Sequence, residues 1–253
     1  MSLTLLTYNI LTGANHGRLD AVCAVVDAAG PDVAAVQELR GDPPLARRTG
    51  MRLHVAPPHT GQPVGLLVAP HLRVLRRGTV PGPFHHGAAW VEVATEAGPL
   101  TLVSVHLFPY WGLVRLYEAR RLAAFAARRE RVVLMGDFNS LDPWTPYGEV
   151  RRRHRRWFGR GGPDTRAMAL LAGRGLVDVF HRVGTGPGWT VPTALGGAEF
   201  TRSRLDYVLA SPAVAGDFTA CRVLDGAATA SASDHFPVVA TLATPDPEGR
   251  SAP

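Results

Sequence analysis

Lysine is missing from this chain of 253 residues: all 27 of its basic side chains are arginine. Alanine is abundant, as are glycine (27) and proline (21), so the exclusive use of arginine reads as GC-rich coding bias rather than a statement about ligands. Cysteine is nearly absent, and Cys23 and Cys221 alone cannot build a disulfide framework for a chain of this length. No apolar run approaches the ~20 residues of a membrane span. No basic N-terminal region leads into an apolar stretch, since residues 3–10 already read as structure. The expectation is a cytoplasmic protein with no membrane span. Only 19% of residues are charged and 46% are hydrophobic, which excludes an intrinsically disordered chain and leaves ample material for a buried core.

Acidic residues are missing from one stretch, 151–160, which holds six arginines. Outside it, 21 arginines face 21 acids, so the formal net charge of +6 sits entirely in that segment. This excludes a generally basic, nucleic-acid-coating protein. If 149–158 were helical, Arg151/Arg155 and Arg152/Arg156 would be like-charge pairs at i,i+4, each costing about 0.2–0.5 kcal/mol. The segment reads either as a clamp on a phosphate-rich substrate, using Arg151, Arg152 and Arg155, or as a solvated surface helix.

What is present is an alternation of strand and helix patterns. Residues 3–10 and 33–36 are apolar and β-branched, separated by Leu19, Val22, Cys23 and Val26 at helical spacing and by a Gly30-Pro31 stop. Further strands are expected near 51–56, 64–69, 73–79, 88–94, 99–106, 131–135, 203–209, 218–224 and 236–242, with helices over 112–129 and 164–173. Regular spacing with Pro/Gly punctuation favours sheet packed on sheet. No repeat or linker divides the chain, so one α/β domain over 1–243 is expected, followed by a frayed, proline-rich tail over 244–253.

Five of these strands run into an acid, amide or histidine: Asn9, Glu38, His106, Asp137 with Asn139, and Asp206. A sixth set, Ser233-Asp234-His235, precedes the last strand. Core strands that converge in a sheet bring such ends together, and ligands bind there. Carboxylates and amides with little sulfur suit a hard, oxygen-seeking cation such as Mg²⁺ or Mn²⁺. Histidines beside such a cation suit phosphoryl chemistry, stabilising charge and moving a proton to a leaving oxygen. Singly, each residue has a plainer reading: Asn9 as a turn residue, Glu38 as a solvated acid, His106 as a core histidine, Asp206 as a partner of Arg202 or Arg204.

Taken in order, Tyr8-Asn9-Ile10, Gln37-Glu38, Ser104-Val105-His106-Leu107, Gly136-Asp137-Phe138-Asn139, Arg204-Leu205-Asp206-Tyr207 and Ser233-Asp234-His235-Phe236-Pro237 resemble the endonuclease/exonuclease/phosphatase superfamily. The resemblance covers residues 3–242. It implies a four-layer α-β-β-α sandwich, two mixed and mostly antiparallel sheets packed face to face with helices outside. It also implies Glu38 as the main metal ligand, helped by Asn9 and Asp234. Asp137 would orient or deprotonate the attacking water, with Asn139 beside it. His235 would contact the phosphate, held in its tautomer by Asp206, and His106 would stabilise the transition state or assist the leaving group.

Some positions depart from the family. Apurinic-site endonucleases carry an acid two residues after the Asn9 position, and Leu11 stands there instead, which argues against that subgroup. Arg115 and Glu118 approximate an Arg-x-x-Gln pattern, which makes Arg115 a substrate-binding candidate together with Trp111 in the loop after His106. His85-His86 falls in a Pro/Gly loop where adjacent histidines point apart, so no zinc site is expected there. The expected activity is a Mg²⁺- or Mn²⁺-dependent hydrolysis of a phosphodiester or phosphomonoester, the substrate being a small organic phosphate or a nucleotide. A DNA or RNA endo- or exonuclease using the same site, and a catalytically inactive phosphate-binding module, are the alternatives.

Overall fold

The computed structural model describes residues 2–40, 44–147, 158–159, 162–196 and 202–243. Arg151, Arg152 and Arg155 lie outside the described residues, as does the tail beyond 243. Strand β1 (Ser2–Asn9) sets the pattern for the core. Its side chains alternate between two apolar layers, Leu5 facing the space between the sheets and Leu6 the helices behind. After a short α1 (Leu11–Ala14), helix α2 (Leu19–Ala29) buries Val22, Cys23, Val25 and Val26 against that rear layer. It ends at Gly30 in the left-handed conformation, whose N–H caps Val26 and Asp27 carbonyls.

The chain continues through β2 (Val33–Gln37), α3 (Leu45–Thr49), β3 (Arg52–Ala56), β4 (Val64–Val68), β5 (Val74–Thr79), β6 (Ala88–Thr95) and β7 (Gly98–His106). Then come α4 (Gly112–Ala126), β8 (Val132–Asp137), β9 (Phe158–Gly159), β10 (Gly162–Pro163), α5 (Arg166–Gly173), β11 (Val177–Asp178), α6 (Val179–Val183) and β12 (Gly184–Thr185). The last elements are β13 (Asp206–Ala210), α7 (Pro212–Ala215), β14 (Phe218–Val223), α8 (Ala227–Ala230) and β15 (Val238–Ala243). Because Phe158 pairs as a strand, a helix in the arginine segment cannot run through 158.

Seven strands form one sheet in the order β12-β14-β15-β1-β2-β4-β3, and six form another in the order β11-β13-β8-β7-β6-β5. Both are mixed: β1–β2, β12–β14 and β7–β8 are parallel, and the other neighbours run antiparallel. Leu5, Leu66, Leu102, Val133, Met135 and Val208 fill the layer between the sheets. Leu122, Phe125, Met168 and Leu171 of α4 and α5 cover the outside of the six-stranded sheet. The result is the α-β-β-α sandwich expected. Among the described residues no helix is long and apolar enough to cross a membrane.

One expectation changes in detail. The strand expected over 203–209 starts at Asp206, so this acid enters its strand instead of ending one. Since β13 runs antiparallel to β8, its entrance lies at the sheet end where β8 exits, and Asp206 pairs with Asp137.

Candidate functional site

Strand register assembles the site. In the six-stranded sheet His106 pairs with Asp137 and Asp137 with Asp206, one row across β7, β8 and β13 that presents three side chains on one face. Gly136 permits this, having a φ of 154° and standing where a Cβ would overlap the Val105 carbonyl. In the other sheet Asn9 pairs with Gln37 across parallel β1 and β2, which places Glu38 beside Asn9. Ser233 Oγ donates to the Asn9 carbonyl at 2.6 Å and fastens the segment bearing Asp234 and His235 to the end of β1.

The Asp137 carboxylate joins the two walls. Its Oδ2 accepts the Asn9 amide at 3.2 Å and lies 3.3 Å from His106 Nε2 and 3.8 Å from His235 Nε2. Its Oδ1 accepts the Asn139 backbone N–H at 2.8 Å, while the Asn139 side-chain amide donates to the Leu107 carbonyl at 3.1 Å. His235 Nδ1 meets Asp206 Oδ2 at 2.8 Å. The Thr190 hydroxyl accepts the N–H groups of Leu205 and Asp206, and its carbonyl accepts that of Phe236, so one turn holds both members of that pair. Arg204, the plainer partner for Asp206, turns instead to Asp142 at 2.9 Å and Asp178 at 2.7 Å.

Of the six described non-glycine residues with positive φ, two carry site side chains, Glu38 at 62° and Asn139 at 46°. Such conformations persist where surroundings enforce them, typically at functional sites. Around Glu38 the enforcement is visible. Its Oε2 accepts the Thr12 N–H at 2.8 Å and the Gln62 amide at 3.1 Å, and its Oε1 accepts the Asn9 amide at 3.2 Å.

Burial drives the site's pKa values. It pushes His106 down to about 3, with His235 and His85 adding to the effect. Burial acts the same way on His235, but the Asp206 and Asp137 carboxylates outweigh it and hold that imidazole well above its ordinary value. Asp137 is raised by burial, opposed by His235, and Asp234 is also raised by burial. Two histidines in one site are therefore driven apart, one neutral and one protonated.

Cation-binding atoms are present. Ligand atoms of Asp137, Asp206 and His235 all lie within 4.8 Å of one another and could hold a metal ion. Asp206 Oδ1 is buried with no hydrogen-bond partner among the described residues. Glu38 and Asp234, both half-buried and accessible, bring further carboxylate oxygens, while Asn9 turns its NH₂ to Glu38 and its Oδ1 accepts the Leu11 N–H. Oxygen donors of this kind match a hard divalent cation.

A collar of residues surrounds the site, and its contacts, unlike the spacing of Arg115 and Glu118 or the position of Trp111, are not visible in the sequence. His86 stacks face to face on His106, with centroids 3.8 Å apart and planes 4° apart. The Gln62 backbone N–H donates to His86 Nδ1 at 2.9 Å, and Gly61 leaves room for the ring where any Cβ would strike it. Glu118, buried in α4, accepts the N–H groups of His85 at 2.8 Å and Phe108 at 2.7 Å, clamping both flanking loops. Arg115 is buried behind the loop, pairs with Asp164 at 3.1 Å and donates to the Phe108 and Pro109 carbonyls. Trp111 stands at the rim, 69% exposed. Arg115, expected as a substrate contact, is 1% exposed and held by Asp164, whereas Trp111 is open to solvent at the rim. The His85-His86 doublet is visible in the sequence, but its loop context hides the stack.

The model of the endonuclease/exonuclease/phosphatase family matches residues 6–235. The chain belongs to the endonuclease/exonuclease/phosphatase family. Its members are hydrolytic phosphoesterases, generally dependent on divalent metals. No curated protein sequence matches the chain. Solved structures share the fold at low identity. A family protein from Bacteroides thetaiotaomicron superposes with a TM-score of 0.72 at 17% identity, covering 96% of this chain and 97% of the other. A mannosyl-6-phosphatase from the same organism gives 0.69 at 16%, covering 96% and 100%. TDP2 of D. rerio, complexed with a single-strand DNA product, gives 0.70 at 16%, covering 96% and 99%.

Proposed function

We propose that this family member is a Mg²⁺- or Mn²⁺-dependent phosphoesterase that hydrolyses a phosphodiester or phosphomonoester by direct attack of water. The observation that carries the reading is Asp137 Oδ2, set among the Asn9 amide, His106 and His235. Glu38, with Asn9 and Asp234, would hold the cation, which supplies charge neutralisation on the phosphate and acidifies water.

The protein groups divide the remaining work. Asp137, its proton affinity raised by burial, accepts a proton from the attacking water, and Asn139 hydrogen-bonds the same water or a phosphate oxygen. His235, kept protonated by Asp206 and Asp137, donates to a phosphate oxygen. His106 is neutral at pH 7, which suits a hydrogen bond to developing charge better than proton donation. The names of two structural neighbours, a sugar-phosphate phosphatase and a protein bound to a DNA product, support phosphate esters as the substrate class.

The test is turnover of bis-p-nitrophenyl phosphate by purified protein with Mn²⁺, with and without EDTA. Metal-dependent release that disappears in Asp137→Ala and His235→Ala supports the reading. Equal turnover by those variants would reject this site as the catalytic one; no metal-dependent turnover by wild type on any phosphate ester would leave an inactive phosphate-binding module.

A further inference from the structure

Helix α4 carries one exposed face from the rim of the site to a basic groove. Leu113, Tyr117, Arg121, Ala124 and Arg128 recur every three or four residues and so share one side of the helix and its last turn. The face is ~22 Å long at 1.5 Å per residue. Its first part is apolar: Leu113 is 69% exposed and Tyr117 42%, next to Tyr110 at 53% and Trp111 at 69%. These are four of the seven large hydrophobic side chains exposed among the described residues, so apolar surface is concentrated here. Ring contacts connect it to the site, from His106 to His86 at 3.8 Å, His85 at 4.3 Å, Phe108 at 4.8 Å and Trp111 at 5.6 Å, each measured to the ring before it.

The second part is a groove of about 470 Å³ between α4 and β5, the edge strand, lined by Arg76, Arg121, Arg128 and Arg129. Arg76 makes a two-point pair with Glu92 at 3.0 and 2.9 Å. Among the described residues Arg121 and Arg128 form no salt bridge; Arg121 donates to the Pro81 carbonyl at 3.2 and 3.0 Å, and Arg129 feels the charge of Glu92. Arg129 lies flat over Phe125 at 3.5 Å, and burial together with Arg76 and Arg128 lowers its pKa.

We propose that this face of α4 is a track for single-stranded nucleic acid, the rings at 110, 111 and 117 stacking bases near the scissile phosphate and the groove arginines neutralising phosphates further along. Surfaces that hold single strands combine aromatic faces with a positive groove in this way. A small phosphate ester in the site would reach neither part. A bilayer would meet the exposed rings, but a flat surface cannot enter a recessed groove. The inference rests on the phosphoesterase reading for the identity of the scissile bond.

The test is fluorescence anisotropy of 5′-fluorescein oligothymidylates of three to twelve nucleotides, with EDTA present to prevent turnover. Affinity is expected to rise with length until the track is filled. Trp111→Ala is expected to weaken binding about tenfold. The double variant Arg121→Gln/Arg128→Gln is expected to make the slope of log affinity against log salt shallower by ~1.4, at ~0.7 per lost phosphate contact. Its turnover of bis-p-nitrophenyl phosphate stays at the wild-type level. Unchanged affinity and slope in the double variant would overturn the track, as would variants that weaken binding to phosphatidylserine vesicles and leave oligonucleotide binding intact. Arginine-dependent binding without any metal-dependent turnover would retain the track and reject the phosphoesterase reading; turnover without such binding would do the reverse.

Discussion

The two sheets bring different chemistry to the cleft they share. From the seven-stranded sheet come Asn9, Glu38 and Asp234, oxygen-bearing groups of which the two acids are half-buried and reachable from solvent. From the six-stranded sheet come His106, Asp137 and Asp206, 3%, 1% and 1% exposed. His235 reaches across from the first wall to pair with the second. Burial shifts proton affinities most where water is excluded, so the inner row is where pKa values are driven apart. Glu38 and Asp234 stay within reach of solvent, whereas Asn9 is 1% exposed and lies beneath them. In the proposed reading, one cleft would separate holding a cation from handling a proton.

The sharpest way to break this division is to substitute one acid from each wall. Asp137→Asn is expected to cost ~10²–10⁴-fold in turnover of bis-p-nitrophenyl phosphate at every Mn²⁺ concentration. Glu38→Gln is expected to lose activity at low Mn²⁺ and recover much of it as Mn²⁺ is raised. If added metal rescues both, or neither, the two walls do not have separate tasks. A milder version acts one residue behind the outer wall. Gln62 donates to Glu38 Oε2 at 3.1 Å, and Gln62→Ala should weaken apparent Mn²⁺ affinity about 10–100-fold while leaving kcat at saturating metal near wild type.

The walls also differ from the collar in how far the sequence exposes them. Asn9, Glu38, His106 and Asp137 each follow a short apolar run, a local signal, and parallel register then gathers the exits of β1 with β2 and of β7 with β8. The direction of β13 is not local: nothing between residues 203 and 209 tells whether Asp206 leaves or enters its strand, because that depends on its antiparallel pairing with β8. The contacts of Gln62, His86 and Glu118 are harder still, because each is made with residues 24 or 33 positions away. The Arg115/Glu118 spacing marks α4 but not the loops that Glu118 clamps. Helices of four or five residues, such as α3, α6, α7 and α8, are too short to show a hydrophobic period.

The collar's link to the inner wall can be tested through Glu118. Its two oxygens accept different N–H groups, Oε1 from His85 and Oε2 from Phe108. Glu118→Gln keeps one acceptor oxygen and turns an NH₂ toward the other donor, so one loop loses its clamp. Leaving a buried donor unmatched costs ~1–3 kcal/mol, read as a lower urea midpoint at unchanged m-value. Turnover should fall as well, since both loops carry rings that meet the His106 row. A variant as stable and active as wild type would make the clamp incidental.

A further effect concerns proton handling by the stacked pair. Burial is the main cause that pushes His86 down to about 2, with the charge of His106 and His85 adding to it. An unfolded histidine titrates near 6.5. Below that pH the unfolded chain takes up a proton that the folded His86 refuses, so stability is lost as pH falls, by up to ~1.4 kcal/mol per pH unit for one histidine. His86→Gln removes this group while every other titrating residue remains. The variant starts less stable at pH 7.5, where the stack is intact in wild type, and the gap between the two urea-unfolding free energies should shrink by about 2 kcal/mol on going to pH 5. A gap that stays constant would mean that His86 accepts a proton in the folded state, and the inner wall would then carry a positive charge that its burial argues against.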